Sequence, residues 1–380
     1  MEAARRGQTI KALAVSTVTI LMILLILAFP TEVISASKEG LMLWFNQVLP
    51  SLLPFMIGVN ILYGVGFINF IGRLLSPVMR PLFGVPGEGG FAMAAGMVSG
   101  YPMGSKITSM LRESGSITKT EGQRLLSFSN TAGPLFILGA VGATMFRDER
   151  IGRFLMAVHY SGAIITGLIF SFYKRGERPK KLPSGNILAQ ALTSMAKSAK
   201  KKPLGALLAD SVLSGIESIG LIGGFIIFFN VAARAFSILV SVSNPLWKSI
   251  FTGFIEITNG VNSLSSSQGK IPVIAAAGII SFGGLSIFAQ SLSFLSKTDL
   301  DARIYFLSKV LHCVITVALA LIFYPKGGFP PQESVNAWAD AGSFYLQGIA
   351  YSWVLATALS LLGVGLAAYA IRAKRLATSR

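Results

Sequence analysis

The segment "AAGMVSGYPMGSK", residues 94–106, begins as an apolar membrane helix and then loses helical character. Gly100, Pro102 and Gly104 follow one another in an otherwise apolar stretch. A helix in lipid must satisfy its own backbone hydrogen-bonding groups, so a break at that depth is tolerated only beside protein or a water-filled cavity. The sequence therefore predicts a broken helix that lines a cavity.

The composition is that of a membrane protein. Of the 380 residues, 52% are hydrophobic and only 13% are charged, whereas soluble domains carry about 25% charged residues. Several apolar runs approach the roughly 20 residues that cross a bilayer, so we expect an all-α polytopic membrane protein with about seven to nine spans. The net charge of +17 comes from basic residues beside the apolar runs. This pattern follows the positive-inside rule and predicts the lipid bilayer, not nucleic acid, as a partner.

A basic segment divides the chain into two halves. Between residues 174 and 202 there are nine Lys and Arg residues and one acidic residue, Glu177, which predicts a cytoplasmic linker. The predicted regions are an N-terminal transmembrane anchor (1–37), a first repeat (38–173), the basic linker (174–206), a second repeat (207–325), and a loop with a C-terminal transmembrane helix (326–380).

The two halves contain four matching segments in the same order. The pairs are 55–60 with 225–230, 76–88 with 244–256, 94–104 with 276–286, and 118–128 with 296–306. These matches predict an internal duplication. The distribution of basic residues predicts that the two copies run in opposite directions through the membrane, as in the inverted repeats of many secondary transporters. The basic tail at 372–375 does not fit strict inversion, which would place the C-terminus outside.

The two matched segments that contain breaks, 94–104 and 276–286, predict a ligand site. The start of a half-helix presents free N–H groups and a partial positive charge, which suit a carboxylate or a phosphate. The alternative to ligand binding is that the breaks form a flexible loop or a tight helix crossing. For Asn130 and Thr131, the alternative is that they only cap the start of a helix. The candidate substrate-binding residues are Ser99, Gly100, Tyr101, Asn130, Thr131, Ser281, Gly283 and Ser286.

Two carboxylates lie in apolar stretches. Glu217 and Glu256 are candidates for coupling to H⁺ or Na⁺, because carboxylates inside a membrane are costly; internal pairing is the alternative. His159 and His312 lack metal-ligand spacing and are interpreted as structural. The Walker, HExxH and Gly-x-Ser-x-Gly patterns of ATPases and hydrolases are absent. We therefore expect no enzyme, no catalytic residue, no cofactor and no metal site; an oligomer is compatible with the sequence.

Four strings carry a resemblance to a known family: "LPSLLPFMIGVNIL", "MRPLFGVPGEGGFAMAAGMVSGYPMGSK", "TEGQRLLSFSNTAGPLFILGAVG" and "GFIEITNG…AAAGIISFGGLSIFAQ". Over residues 40–325 the chain resembles the YlbJ family of sporulation integral membrane proteins (stage V sporulation protein V). The resemblance implies that the repeats are Gate domains, the nucleoside-recognition module. It also implies uptake of dipicolinic acid across the outer forespore membrane. A nucleoside or purine permease and a non-transporting scaffold of a sporulation complex are the alternatives.

Overall fold

A computed structural model describes residues 2–176, 187–198, 203–240, 242–267 and 269–329. Within these ranges the chain is helical and contains no β-strand. The α-helices are α1 (Glu2–Ala28), α2 (Pro30–Leu43), α3 (Leu49–Gly64), α4 (Phe67–Phe83), α5 (Glu88–Ser99), α6 (Met103–Glu113), α7 (Lys119–Ser129), α8 (Glu149–Phe170), α9 (Ile187–Ser198), α10 (Leu204–Leu239), α11 (Pro245–Ile255), α12 (Ile257–Ser265), α13 (Lys270–Phe282), α14 (Gly284–Leu295) and α15 (Ala302–Phe323). Two π-helical segments are Trp44–Val48 and Leu135–Met145.

Five of the described helical segments are long and apolar enough to cross a membrane. They are Pro30–Gly64, Glu149–Phe170, Leu204–Leu239, Lys270–Leu295 and Ala302–Phe323. The chain is therefore a multi-pass helical membrane protein. The higher count of seven to nine spans stays a prediction, and residues 330–380 of the expected C-terminal region lie outside the described residues.

Two long helices run side by side in opposite directions. The continuous helix Pro30–Gly64 packs along α10. The Asn60 amide donates to the Ser211 carbonyl at 3.2 Å near one end. Near the other end, a methyl group added at Gly40 would lie 3.2 Å from Nδ2 of Asn230. The matched segments 55–60 and 225–230 thus belong to two antiparallel helices in contact.

The helical breaks lie where the sequence predicted them. Helix α5 ends at Ser99 and α6 begins at Met103, and between them Gly100 has a φ of 86°. Helix α13 ends at Phe282 and α14 begins at Gly284. Gly283 and Gly284 also have positive φ, 88° and 70°, which glycine adopts without steric cost. Both predicted breaks are confirmed. A third lies between Ser129, where α7 ends, and the π-helical segment Leu135–Met145.

The second half of the chain contains a helix for which the first half has no matching segment. The offset between matched segments rises from 168 residues at Pro77 and Pro245 to 182 residues at the Ala-Ala-Gly motifs. The nine-residue helix α12 lies in the interval where this rise occurs. A break at Glu256 separates α12 from α11.

The region predicted as a basic linker contains a folded helix. Helix α9 packs against α4, and Nε of Arg73 donates to Oγ of Ser194 at 3.2 Å. Six of the nine basic residues between 174 and 202 lie outside the described residues.

An ion pair joins the end of α6 to the loop before α15. Nε and Nη2 of Arg112 donate to the two carboxylate oxygens of Asp299 at 2.7 and 3.0 Å. This hydrogen-bonded guanidinium lowers the pKa of Asp299 below its ordinary value.

Candidate functional site

Two of the breaks cross each other at glycines. A methyl group added at Gly100 would lie 2.7 Å from the backbone nitrogen of Gly133. One added at Gly133 would lie 3.0 Å from the Ser99 carbonyl oxygen. Since side chains cannot be accommodated at such distances, only glycine allows the two non-helical backbones to approach this closely. The crossing brings the ends of α5 and α7 and the starts of α6 and Leu135–Met145 together.

Tyr101 connects this crossing to the break in the second half of the chain. Its hydroxyl donates to the Ile280 carbonyl at 3.1 Å, in the last turn of α13. A methyl group at Gly283 would lie 3.5 Å from the tyrosine ring. Helices α6 and α14, which follow the two breaks, pack against each other. The two broken segments therefore meet, as the matching sequences predicted.

A cavity of about 730 Å³ opens at this meeting point. Most of its lining side chains are apolar, among them Leu52, Phe136 and Ile226. The polar residues at the breaks and the adjacent helices are Ser99, Tyr101, Thr258, Ser286, Gln290 and Glu256, and further polar lining residues are Asn46, Gln47, Ser51 and Thr144. Ser99 Oγ is buried and has no hydrogen-bond partner. An apolar pocket with a few converging polar groups is the usual form of a small-molecule site.

Four predicted substrate-binding residues, Ser99, Gly100, Tyr101 and Ser286, lie on the cavity wall. The other four do not line it. Asn130 is buried behind it, where Nδ2 donates to the hydroxyls of Ser291 at 2.9 Å and Tyr305 at 2.7 Å. Ser281 bonds to His159, Gly283 forms the second break, and Thr131 Oγ1 is buried without a hydrogen-bond partner.

Lys309 is the buried cation next to the cavity. It is 1% exposed in α15, and its amine lies 5.0 Å from the centre of the Tyr101 ring. Its Nζ contacts three neutral acceptors: the Tyr101 hydroxyl at 3.1 Å, the Asn130 carbonyl at 3.1 Å and Nδ1 of His312 at 3.3 Å. A lysine ammonium has three N–H donors, so these acceptors match the charged form. Among the ion pairs of the described residues, none includes Lys309.

The two histidines beside Lys309 are arranged as neutral imidazoles. Nε2 of His159 accepts from the Ala132 N–H at 3.0 Å, which leaves Nδ1 to donate to Ser281 Oγ at 2.8 Å. Nε2 of His312 lies 3.0 Å from the His159 carbonyl and donates to it, so Nδ1 is free to accept from Lys309. The hydrogen-bond partners of each ring assign its tautomer. The network spans α8, α13 and α15 and holds Lys309 behind Tyr101.

The two candidate coupling carboxylates lie in different environments. Glu256 is 3% exposed and lines the cavity. One of its oxygens accepts from the Asn259 N–H at 2.8 Å, which caps α12. Glu217 lies on the exposed face of α10 and is not part of the cavity wall. The structure therefore places only Glu256 with the substrate-binding candidates.

Sequence reasoning missed the polar face of α15. Tyr305, Ser308, Lys309, His312 and Thr316 are all buried, and each lies three or four residues from at least one of the others, which puts them on one side of the helix. A lysine within an apolar 22-residue helix is itself a signal of function, because charges inside membranes are rare. No group of three His, Cys, Asp or Glu side chains with metal-binding geometry occurs in the part of the chain that the structure describes.

Comparison with known proteins decides the family. The chain is 35% identical over 365 residues to sporulation integral membrane protein YlbJ of Bacillus subtilis (strain 168). The alignment covers 90% of this chain and 88% of that protein. The chain belongs to the YlbJ family of sporulation integral membrane proteins. The Gate family, described as "Nucleoside recognition", matches residues 45–175, which include the crossing of Gly100 and Gly133. No solved structure matches the chain.

Proposed function

We propose that this YlbJ-family protein is a transporter, not an enzyme, and that it carries a small planar dicarboxylate, with dipicolinate favoured, into the forespore across its outer membrane. The observation that carries the proposal is a buried lysine without a carboxylate partner, one side chain away from a cavity at the crossing of broken helices. The relation to a sporulation protein fits a role in the forespore, and the family resemblance implies dipicolinate as the substrate.

The charge of Lys309 favours an anion. A buried ion is strongly disfavoured unless it is paired or fully hydrogen-bonded, and Lys309 has only neutral acceptors. A carboxylate bound in the cavity at Tyr101 would lie next to this amine. The Tyr101 hydroxyl, which accepts from Lys309 and donates to Ile280, would transmit the positive field to the cavity wall.

The second carboxylate would be bound by groups that have no hydrogen-bond partner within the protein. Ser99 Oγ lies on the wall without a hydrogen bond. The start of α14 presents free backbone N–H groups beside Ser286, and helix starts favour anions. The cavity is within the range of about 300–1,000 Å³ that holds small ligands, and its apolar walls suit the faces of an aromatic ring.

Inverted repeats would explain how such a site changes its access. The antiparallel contact between Pro30–Gly64 and α10, and the meeting of the two breaks, are what two copies related by a two-fold axis in the membrane plane would show. Rocking of one copy against the other would then open the central cavity to each side in turn.

A nucleoside or purine permease is the second candidate, because the Gate family is described as a nucleoside-recognition family. A nucleoside is neutral and would gain little from Lys309, so we rank it below a dicarboxylate. A non-transporting scaffold would require no polar groups that converge on a cavity.

Purified protein in proteoliposomes tests the proposal. We expect saturable uptake of radiolabelled dipicolinate that unlabelled dipicolinate inhibits and that inosine or uridine does not. Liposomes without protein are the control. Inhibition by nucleosides together with nucleoside uptake would favour the permease, and the absence of any uptake would favour the scaffold.

A further inference from the structure

Glu256 is the carboxylate that shares the cavity with the proposed substrate site. It lies at the break between α11 and α12, is 3% exposed, and lines the cavity together with Ser286 and Gln290. Its capping bond from the Asn259 N–H fixes the side chain, which lines the cavity.

No positive side chain is paired with Glu256 in the part of the molecule that the structure describes. Helices α10, α13 and α14 and the segment Leu135–Met145 pack against α11 or α12. The charged groups on these elements and on α11 and α12 are engaged elsewhere or exposed. Arg234 pairs with Glu39, Lys270 lies over the Tyr324 ring, and Asp210, Glu217 and Lys248 are exposed. The other titratable side chain that lines the cavity is Tyr101, and Lys309 lies behind it.

The charges of Glu256 and Lys309 decide what the cavity can bind. An ionised Glu256 and a charged Lys309 give a net charge of zero. A dicarboxylate that enters the cavity would supply the negative partner that Lys309 lacks in the protein. With Glu256 still ionised, three negative charges would share the cavity with the positive charge of Lys309, and like charges repel strongly where the groups are buried, as Glu256 is.

We propose that Glu256 binds one proton whenever the dicarboxylate occupies the cavity, so that this protein is a proton-coupled anion symporter. The proton comes from the water on the side where the substrate enters. It adds to one Glu256 oxygen and leaves to water on the side where the substrate is released. Each cycle moves one dianion and one proton together, and the net charge that crosses the membrane is minus one. This inference rests on the proposed function.

Proteoliposomes with the membrane potential clamped by K⁺ and valinomycin test the coupling. For the wild type, a pH about one unit lower outside than inside should raise the steady-state ratio of internal to external dipicolinate about tenfold. One coupled proton contributes a factor of ten per pH unit. The fluorescence of the pH indicator pyranine, trapped inside, should report acidification of the vesicle lumen when dipicolinate is added outside. Replacing Na⁺ by N-methylglucamine should change neither result; accumulation driven by a Na⁺ gradient would overturn the proposal.

The variant Glu256→Gln tests the residue. The amide oxygen can still cap α12 but cannot be protonated, so the variant should equilibrate dipicolinate and lose the tenfold accumulation. Glu256→Asn, which keeps a preferred N-cap residue, should behave in the same way. Glu113→Gln, at the exposed end of α6, is the matched control and should accumulate substrate like the wild type.

The outcomes distinguish the two proposals. If the wild type takes up no dipicolinate, the proposed function fails. If the wild type transports it without a response to pH, or if both Glu256 variants still accumulate it in response to the pH gradient, the transport function stands and proton coupling through Glu256 is wrong.

Discussion

Ser99 is the residue whose contribution to binding can be isolated most simply. Its Oγ lies on the cavity wall, is buried, and has no partner in the protein. A hydrogen bond to a carboxylate contributes about 1.5–3 kcal/mol. Ser99→Ala should therefore raise the dipicolinate concentration for half-maximal uptake by about one to two decades, with an unchanged amount of protein in the membrane. Initial rates in proteoliposomes measure this effect.

Ser266, which is exposed after the end of α12, provides the control. Ser266→Ala should transport dipicolinate like the wild type. Equal half-saturation concentrations for Ser99→Ala and the wild type would show that Ser99 does not contact the substrate.

Single residues of the site were predictable from the sequence only where a local signal marked them. Ser99, Gly100 and Tyr101 surround a visible break. Lys309 was not recognised although a lysine in an apolar helix is a signal of function; its place beside the site depends on contacts with Tyr101 and Asn130, 208 and 179 residues away. The bond between His159 and Ser281 likewise joins residues 122 positions apart. Such contacts depend on the packing of α8, α13 and α15, which one sequence does not specify.

The crossing of the broken helices depends on glycine. Gly100 has a φ of 86° and leaves no room for a methyl group beside Gly133. Gly100→Ala should cost about 1–3 kcal/mol because both the backbone conformation and the contact are strained. We expect a lower melting temperature in detergent and weaker transport. Melting followed by size-exclusion fluorescence measures the stability.

Gly58→Ala is the matched control for Gly100→Ala. Gly58 lies within α3, and a methyl group added there would meet nothing within 4 Å. Alanine in a helix is more stable than glycine by about 0.5–1 kcal/mol, so this variant should melt at the same or a higher temperature. A Gly100→Ala protein as stable as Gly58→Ala would contradict the described crossing.

The elements were predicted where apolar length or Gly and Pro spacing defined them. The breaks after Ser99 and Phe282 and the apolar helices α8, α10 and α15 belong to this class. Helix α9 was not predicted, because the Lys-rich composition around it is typical of a linker and its packing on α4 is a tertiary contact. The π-helical segments were not predicted either, since a π-helix has no distinct local sequence signal.

The orientation of the whole molecule follows from its charge bias. The basic region around α9 should face the cytoplasm. A cysteine at the exposed position Lys197, in a Cys313→Ser background, should not react with a membrane-impermeant thiol reagent in intact cells and should react after permeabilisation. Labelling in intact cells would reverse the predicted topology.

The central claim for the molecule is that a buried cation selects a dianion at the crossing of broken helices. The most direct test compares the binding of dipicolinate with that of its neutral diamide, by titration calorimetry on detergent-purified protein. The wild type and Lys309→Arg should prefer the dianion by about tenfold or more, since a hydrogen bond to a charged group contributes about 1.5–3 kcal/mol. Lys309→Met should bind the two compounds about equally. A preference for the dianion that persists in a folded Lys309→Met protein would contradict the account.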